Sequence, residues 1–413
     1  MRADLDRLMA EYNLDAIVVL GDETPNSQRD YLTSRARAGG SIYKKRGEPA
    51  VYVVSPMEID EAAKSGLAVK TMYDFGLAEL QKQHRGDIPA IRRGIMQNIF
   101  KSLGISGRVG LYGTHEVNST VPFIMMMLDN TMGVELATSE ENRPDLFSRM
   151  YETKDDQEIA ALRDVGKRTS QLVSDTWEFI SQHYAASLEI GSPIVDENGN
   201  PLTIGAVKRF IRMRAMELDV TEEDTIFAQG RDAALPHSRG EDDDVLQVGK
   251  SIVYDIFPKH IHSGYYHDMT RTWCIGVAPA DVQAAYDDVM HVFHETQARM
   301  KIGEDAKLFQ EMALDYFESK EHPTPRTHND TMDGYVHSLG HGLGLNIHEA
   351  PGLRLYGPSK LEAGNVFTVE PGLYYPDRGY GVRVEDTVYL DDEGKLQTLT
   401  DFRYDLVIPI RVR

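Results

Sequence analysis

Four carboxylates occupy matched places in two strand-like parts of the sequence. Asp255 and Asp268 lie in β-rich runs that a turn-prone stretch separates, and Glu370 and Glu385 lie in similar runs around a Pro-Gly turn. If each pair belongs to a hairpin that closes near its midpoint, its two acids face each other with Cβ atoms about 5 Å apart. Because like charges repel at this distance, the pattern predicts that cations lie between the carboxylates.

A glycine-rich segment can add an imidazole to this cluster. It contains His337, His341 and His348, and its alternating glycines disfavour a helix, since each costs about 1 kcal/mol there relative to alanine. On an extended backbone His337 and His341 would share a face, whereas His348 needs a bend to join them. We therefore expect one histidine to bind metal while others flank a substrate.

The residue types limit the metal and suggest a reaction. Two divalent cations would neutralise the four carboxylates, and oxygen ligands with one imidazole suit manganese, cobalt, iron or zinc. Cys274 is the only cysteine, which excludes thiolate metal sites and disulfides within the chain. Two cations about 3.5 to 4 Å apart can hold a bridging hydroxide and polarise a carbonyl, so peptide hydrolysis is the natural use.

The elements that must position these residues fall into two parts. The first 150 residues alternate short β-type runs, at 16–20, 50–54 and 108–112, with helical patterns such as 88–103, which indicates an α/β domain. A long amphipathic helix begins near Glu152, and the strand-rich end from 366 to 412 predicts an α+β domain. For a chain of 413 residues two domains are the expected number, and we place them at 1–150 and 151–413.

Composition restricts partners and location. With 44 basic and 65 acidic residues the net charge is −21, which argues against nucleic acid or an anionic membrane as the main partner. The longest apolar run, 121–128, is far too short to span a membrane, and the first residues lack the apolar core of a signal peptide. We therefore predict a cytoplasmic protein.

The motifs resemble a known ligand signature. Asp255, Asp268, the Gly-His341-Gly motif, Glu370 in Val-Glu-Pro-Gly and Glu385 in Val-Arg-Val-Glu-Asp follow, in order, the five ligands of the pita-bread metallopeptidases. This family includes methionine aminopeptidase, Xaa-Pro aminopeptidase and prolidase. The resemblance covers roughly residues 150 to 413, and residues 1–150 resemble the N-terminal domain of the creatinase and prolidase branch. It implies an α+β pita-bread C-terminal catalytic domain preceded by a smaller α/β N-terminal domain.

The resemblance also assigns the metal ligands. Asp255 and Glu385 would span two divalent ions, Asp268 would chelate one of them, and His341 and Glu370 would complete the other. Glu370 would also take the proton from the nucleophile, which a ligand carboxylate can reach. Manganese is the first expectation, with cobalt, zinc and iron as alternatives. The two aspartates are 13 residues apart, slightly more than is usual in the family, which we interpret as a loop insertion at 259–262.

Further residues match the family's pocket. His237 and His348 correspond to two catalytic, substrate-side histidines that steady the tetrahedral intermediate and the scissile amide, and His337 corresponds to a third pocket histidine. Thr270 and Arg383 each lie two residues from a ligand on the same strand face, so we expect them to orient carboxylates.

The predicted function is therefore a binuclear metal-dependent peptidase that hydrolyses Xaa-Pro bonds by attack of a metal-bridged hydroxide. The substrate would be a proline-containing dipeptide or short peptide, and the resemblance implies a homodimer. Arg354 is our candidate for pairing with a substrate carboxylate, which favours a dipeptidase over an aminopeptidase P. Two alternatives stay open: a creatinase-like, metal-independent amidinohydrolase and a non-catalytic peptide-binding relative, although both usually lose ligands that this chain retains.

Overall fold

A computed structural model describes residues 4–22, 24–129, 132–138, 143–222, 224–357 and 360–413. The chain divides into two compact units, Met1–Met150 and Tyr151–Arg413. No helix within the described ranges is long and apolar enough to cross a membrane.

The first unit is a mixed sheet with helices. Its strands are β1 (Ala16–Leu20), β2 (Gly40–Lys45), β3 (Val51–Val54), β4 (Ala68–Thr71), β5 (Gly107–Gly113) and β6 (Val134–Ala137), in the spatial order β4-β3-β2-β1-β5-β6. Its helices are α1 (Leu5–Glu11), α2 (Ser27–Thr33), α3 (Ile59–Ala63), α4 (Leu77–His84), α5 (Ile88–Leu103) and α6 (Val117–Met127), and α7 (Leu146–Tyr151) follows them.

Helix α5 shows why the sequence forms these elements. It has the predicted limits, because the Asp87 carboxylate accepts a hydrogen bond from the Ala90 amide at its start and Gly104, with φ of +62°, ends it. Its buried residues Ile95, Ile99 and Phe100 pack on the sheet, so amphipathic periodicity and caps agree.

In the part of the second unit that the structure describes, there are four long helices and most of the strands. The helices are α8 (Asp156–Ser181), α9 (Ile204–Glu217), α10 (Ala280–Arg299) and α11 (Ala306–Ser319). The strands of its sheets are β7 (Tyr184–Ala185), β8 (Ile194–Val195), β9 (Val220–Thr221), β10 (Ile226–Gln229), β11 (Ser251–Ile256), β12 (Lys259–His260), β13 (Met269–Ile275), β14 (Gly340–Gly342), β15 (Glu349–Leu353), β16 (Val366–Val369), β17 (Gly372–Tyr375), β18 (Tyr380–Arg383), β19 (Asp386–Leu390), β20 (Leu396–Thr398), β21 (Val407–Ile408) and β22 (Arg411–Val412).

Two sheets of the second unit are each packed against two helices. The sheet β10-β11-β13-β21 shares a core with α8 and α9, and the sheet β15-β14-β16-β19-β20 shares another with α10 and α11.

Helix α8 begins with a capping box in which Asp155 and Glu158 bond each other's backbone amides. Strand β13 is buried along its whole length, as expected for a strand covered on both faces. An antiparallel bridge between Thr270 and Glu385 joins the two sheets.

Candidate metal centre

Neighbouring strands bring three of the predicted carboxylates to one level. Asp255 on β11 pairs with Thr270 on β13, and Thr270 pairs in turn with Glu385, just before β19. The β16–β19 and β17–β18 ladders lie on either side of Glu370 and have the same register. Continuing that register across the gap between them places Glu370 opposite Glu385. The second hairpin therefore has the facing pair that the sequence predicts.

The first hairpin differs from the expectation. Its register pairs Asp255 with Thr270, so Asp268 lies two residues nearer the turn and does not face Asp255. The turn is not a simple one, because β12 within it pairs with β9. Thr387 fixes the backbone of Asp268 by donating its Oγ1 hydrogen to the Asp268 carbonyl at 2.7 Å. A shift of two residues keeps Asp268 on the same face of the strand.

His341 reaches this cluster from β14. Its Nε2 lies 3.6 Å from Asp268 Oδ2 and 3.6 Å from Glu370 Oε1. Its Nδ1 donates to the Gly342 carbonyl at 3.1 Å, which leaves the Nε2 lone pair directed at the carboxylates. The preceding Gly340 permits close strand packing, since a Cβ there would lie 2.0 Å from the Thr368 carbonyl oxygen.

The donor set fits divalent cations. Ligand atoms of Asp268, His341 and Glu385 all lie within 4.8 Å of one another. Among the described residues, Asp255 Oδ1, Asp268 Oδ1 and Glu385 Oε1 are buried and have no hydrogen-bond partner. Buried carboxylate oxygens without partners are costly, and a cation bound among them would remove that cost.

Burial and mutual repulsion change how these acids titrate. Burial raises the pKa of Asp268 and of Glu385 well above the usual range, and the charges of Glu370 and Asp255 add to both increases. Burial also raises the pKa of Glu370, although the neighbouring charges of His337 and Arg383 oppose the increase. Without metal, the cluster therefore holds protons that metal binding must release.

This titration predicts how pH changes the stability of the metal-free protein. The folded state holds protons on Asp268 and Glu385 above about pH 4, where the unfolded chain has lost them, so the free energy of unfolding falls as pH rises. A divalent cation needs the ionised carboxylates, so its stabilising effect grows with pH. Melting temperatures measured with manganese and with chelator between about pH 5 and pH 8 should therefore separate as pH rises. A constant difference would contradict the prediction.

Thr270 and Arg383 contact the carboxylates. The Thr270 hydroxyl donates to Glu385 Oε2 at 2.8 Å, and Arg383 Nη2 donates to Asp255 Oδ2 at 2.6 Å. Arg383 Nε also donates to Thr270 Oγ1 at 3.2 Å. These bonds occupy one oxygen of Asp255 and one of Glu385, and the other oxygen of each, which is buried and has no hydrogen-bond partner, stays available to a cation.

His337 lies in a hydrogen-bonded chain with a residue that the sequence analysis does not select. Tyr374 accepts a hydrogen bond from Arg383 Nη1 at 2.9 Å and contacts His337 Nε2 at 2.8 Å, while His337 Nδ1 donates to the Ser338 carbonyl at 2.8 Å. His337 is therefore assigned the Nδ1–H tautomer, and its Nε2 accepts the Tyr374 hydroxyl proton. Burial lowers the pKa of His337, in keeping with a neutral ring.

The other proposed pocket residues differ in position. His348 lies in the loop between β14 and β15, and its ring centroid is 4.5 Å from that of His341. His237 lies in an exposed turn, and its charge contributes to lowering the pKa of both His337 and His348. Arg354 is exposed in the segment after β15, and its role as a carboxylate partner stays a prediction.

Gln310 of α11 holds the segment that carries His337. Its Oε1 accepts from the Tyr335 hydroxyl at 3.0 Å and from the Leu339 amide at 2.6 Å, and its Nε2 donates to the His337 carbonyl at 3.2 Å. Substitution Gln310→Leu keeps the volume but leaves these buried groups unsatisfied, so we expect a loss of about 2 kcal/mol in the free energy of unfolding. Urea unfolding measures it.

A matched control for this substitution is Gln283→Leu. Gln283 makes one exposed hydrogen bond, to Asp287, on α10, so its loss should change stability by less than about 0.5 kcal/mol. Equal effects of the two substitutions would show that Gln310 does not support the His337 segment.

Comparisons with known proteins find a peptidase family model that matches part of this chain. A model of the family described as "Metallopeptidase family M24" matches residues 201–392. An Xaa-Pro dipeptidase of Pyrococcus furiosus is 34% identical over 171 residues, which cover 41% of this chain and 45% of that protein. The chain spans about half the length of the first curated relatives that it matches.

Solved structures share the fold over almost the full length. The prolidase of Pyrococcus horikoshii superposes with a TM-score of 0.73 at 22% identity, and the alignment covers 98% of this chain and 99% of the prolidase chain. An X-Pro aminopeptidase of Thermotoga maritima superposes with a TM-score of 0.73 at 20% identity, and the alignment covers 98% of this chain and 100% of the aminopeptidase chain. Residues 201–392 therefore match the metallopeptidase family M24 model, and the chain has the predicted pita-bread fold.

Proposed function

We propose that this protein is a divalent-metal-dependent peptidase that hydrolyses Xaa-Pro dipeptides. Two observations carry the proposal: three buried carboxylate oxygens, on Asp255, Asp268 and Glu385, have no hydrogen-bond partner, and ligand atoms of Asp268, His341 and Glu385 lie within 4.8 Å of one another. The creatinase-like and non-catalytic alternatives are disfavoured because all five candidate ligand residues are present in the chain. The similarity to Xaa-Pro dipeptidases supports the choice of substrate.

The five candidate ligands would hold two divalent ions, and we propose manganese first. They are Asp255, Asp268, His341, Glu370 and Glu385. Such ions, when bound, supply a water of lowered pKa and polarise the scissile carbonyl. Cobalt, zinc and iron suit the same donors, so metal analysis of the purified protein decides among them.

Glu370 is the proposed general base. Its Oε1 lies 3.6 Å from His341 Nε2 and accepts a hydrogen bond from the Thr368 hydroxyl at 3.4 Å. Burial raises its pKa, which makes the carboxylate a stronger acceptor for a proton from water than an exposed glutamate. Glu370 would then carry that proton to the leaving amine nitrogen.

His348 and His237 are the proposed substrate-side histidines. Burial, followed by the charges of His341 and His237, lowers the pKa of His348, so its ring can donate a hydrogen bond while remaining neutral. His337, whose two nitrogens contact Tyr374 and Ser338, would shape the pocket wall. The homodimer, the cytoplasmic location and the creatinase-like character of residues 1–150 remain predictions.

Initial hydrolysis rates of Ala-Pro and of a longer Ala-Pro peptide test the proposal. The protein is reconstituted with manganese, and a chelated sample is the control. Cleavage of the dipeptide alone supports the dipeptidase and makes Arg354→Ala the next variant. Cleavage mainly of the longer peptide would replace the proposal with an aminopeptidase P. No metal-dependent cleavage of either peptide would overturn it.

A further inference from the structure

A buried ion pair lies next to the loop that carries His348. Lys154 Nζ is 2.9 Å from Glu349 Oε2, and each side chain is only 2% exposed. Lys154 precedes α8, whereas Glu349 is the first residue of β15 and follows His348 directly. The two residues are 195 positions apart in the chain, so the pair joins the start of the second unit to the pocket loop.

Lys154 and the backbone around it are held by further hydrogen bonds. Lys154 Nζ donates to the Tyr151 carbonyl at 2.6 Å, and the Lys154 amide donates to the Gly364 carbonyl at 2.8 Å. Asn365, which is fully buried, donates its side-chain amide to the Glu152 carbonyl at 2.8 Å. The lysine is therefore attached to a backbone segment that is itself fastened beside the start of β16.

Glu349 uses its second oxygen to close the loop. Glu349 Oε1 accepts from the Asn346 amide at 2.9 Å and from Asn346 Nδ2 at 3.1 Å. Gly344 packs against the pair, since a Cβ there would lie 2.6 Å from Glu349 Oε2 and 3.0 Å from Lys154 Cε. Residues 343–348 therefore fold around the Glu349 carboxylate, and we refer to them as the 343–348 loop.

The same loop determines where the His348 ring lies. The ring packs edge-on against the ring of His341, with an interplanar angle of 75°. Backbone hydrogen bonds that fix the loop include those from the Gly344 amide to the Asn346 carbonyl at 3.0 Å and from the Tyr266 amide to the Gly344 carbonyl at 2.8 Å. Removing one charge of a buried pair leaves the other uncompensated, so the carboxylate would turn toward water and release the loop.

We propose that the Lys154–Glu349 ion pair positions His348 beside the metal centre and acts on the reaction through that histidine. The part that concerns the reaction rests on the proposed function, whereas the part that concerns the loop does not. Lys154 and Glu349 are positioning residues, because neither contacts the reacting atoms.

Lys154→Met tests the proposal with two independent readouts. Hydrogen exchange in the 343–348 loop should become at least about tenfold faster, because the loop opens more often. The kcat/KM for Ala-Pro should fall by about tenfold to a hundredfold. The rates are compared at saturating manganese, because the loop also borders the ligand His341 and its release can weaken metal binding. Lys307→Met, which removes an exposed lysine paired with Glu311 on α11, should change neither readout.

A double-mutant cycle with His348→Ala separates positioning from a general structural role. If the pair acts through His348, Lys154→Met should cause less than about twofold further loss in the His348→Ala background. An equal loss in both backgrounds would overturn the proposal. Glu349→Gln, which keeps an oxygen for the Asn346 amide, should give the same pattern with a smaller effect and replaces Lys154→Met if that variant does not fold.

The exchange measurement keeps this inference distinct from the proposed function. If the parent protein cleaves no Xaa-Pro peptide, the proposed function fails and loop exchange alone decides the positioning. Unchanged exchange in residues 343–348 overturns the inference, even if the parent protein is an active peptidase.

Discussion

Replacing Glu370 by glutamine is expected to lower kcat for Xaa-Pro hydrolysis by about 10³-fold. The amide keeps the size of the side chain but cannot accept a proton from water. Its surroundings should change little, because the backbone of Glu370 is held by a 2.8 Å bond from its amide to the Leu339 carbonyl. Steady-state kinetics with saturating manganese measure the loss, and circular dichroism checks that the fold is kept.

Two further observations make this result interpretable. Glu295→Gln on α10, which removes a carboxylate paired with Arg299 on the exposed face, should leave kcat unchanged. Manganese titration of Glu370→Gln separates loss of the base from loss of a ligand, since a lost base lowers kcat even when the sites are saturated. If the variant keeps more than about a tenth of the parent kcat at saturation, Glu370 is not the base.

The spacing of the four carboxylates predicts their common face but only part of their register. Glu370 and Glu385 lie opposite each other because the β16–β19 and β17–β18 ladders on either side of them share one register. Asp255 and Asp268 are not opposite each other, because residues between them pair with β9 and the backbone of Asp268 itself bonds Thr387. Local spacing determines the face of a strand, whereas its register depends on partners that are distant in sequence.

The residues around the ligands show the same limit. Thr270 and Arg383 are predictable because each lies two positions from a ligand on the same strand. Tyr374 and Gln310 are not, since each reaches His337 from another element. Lys154 gives no local signal either, and only its contact with Glu349 across 195 positions reveals its place.

The bend at His348 and the limits of α5 are predictable for a local reason. The bend follows from the odd spacing between His341 and His348, and α5 begins and ends at its own capping residues. Side-chain networks that join separate elements have no such periodic signal. Sequence therefore predicts the ligands better than the residues that hold them.

Arg383→Met is expected to destabilise the metal-free protein by about 3 to 5 kcal/mol. The Arg383 side chain is 5% exposed, and its guanidinium bonds Asp255 Oδ2, Thr270 Oγ1 and the Tyr374 hydroxyl. Its removal leaves the Asp255 charge uncompensated beside the other acids. Bound manganese would compensate part of that charge, so the loss should be smaller in the loaded protein.

Urea unfolding in chelator and in manganese measures both effects of Arg383→Met. The matched control is Arg299→Met, since Arg299 pairs with Glu295 while 60% exposed, and it should change stability by less than about 0.5 kcal/mol. The loss of stability in Arg383→Lys should lie between those of Arg383→Met and Arg299→Met, because an ammonium keeps the charge but cannot bond three partners in one plane. Equal destabilisation with and without metal would mean that Arg383 supports the strands β11, β13 and β18 and does not balance the carboxylate charge.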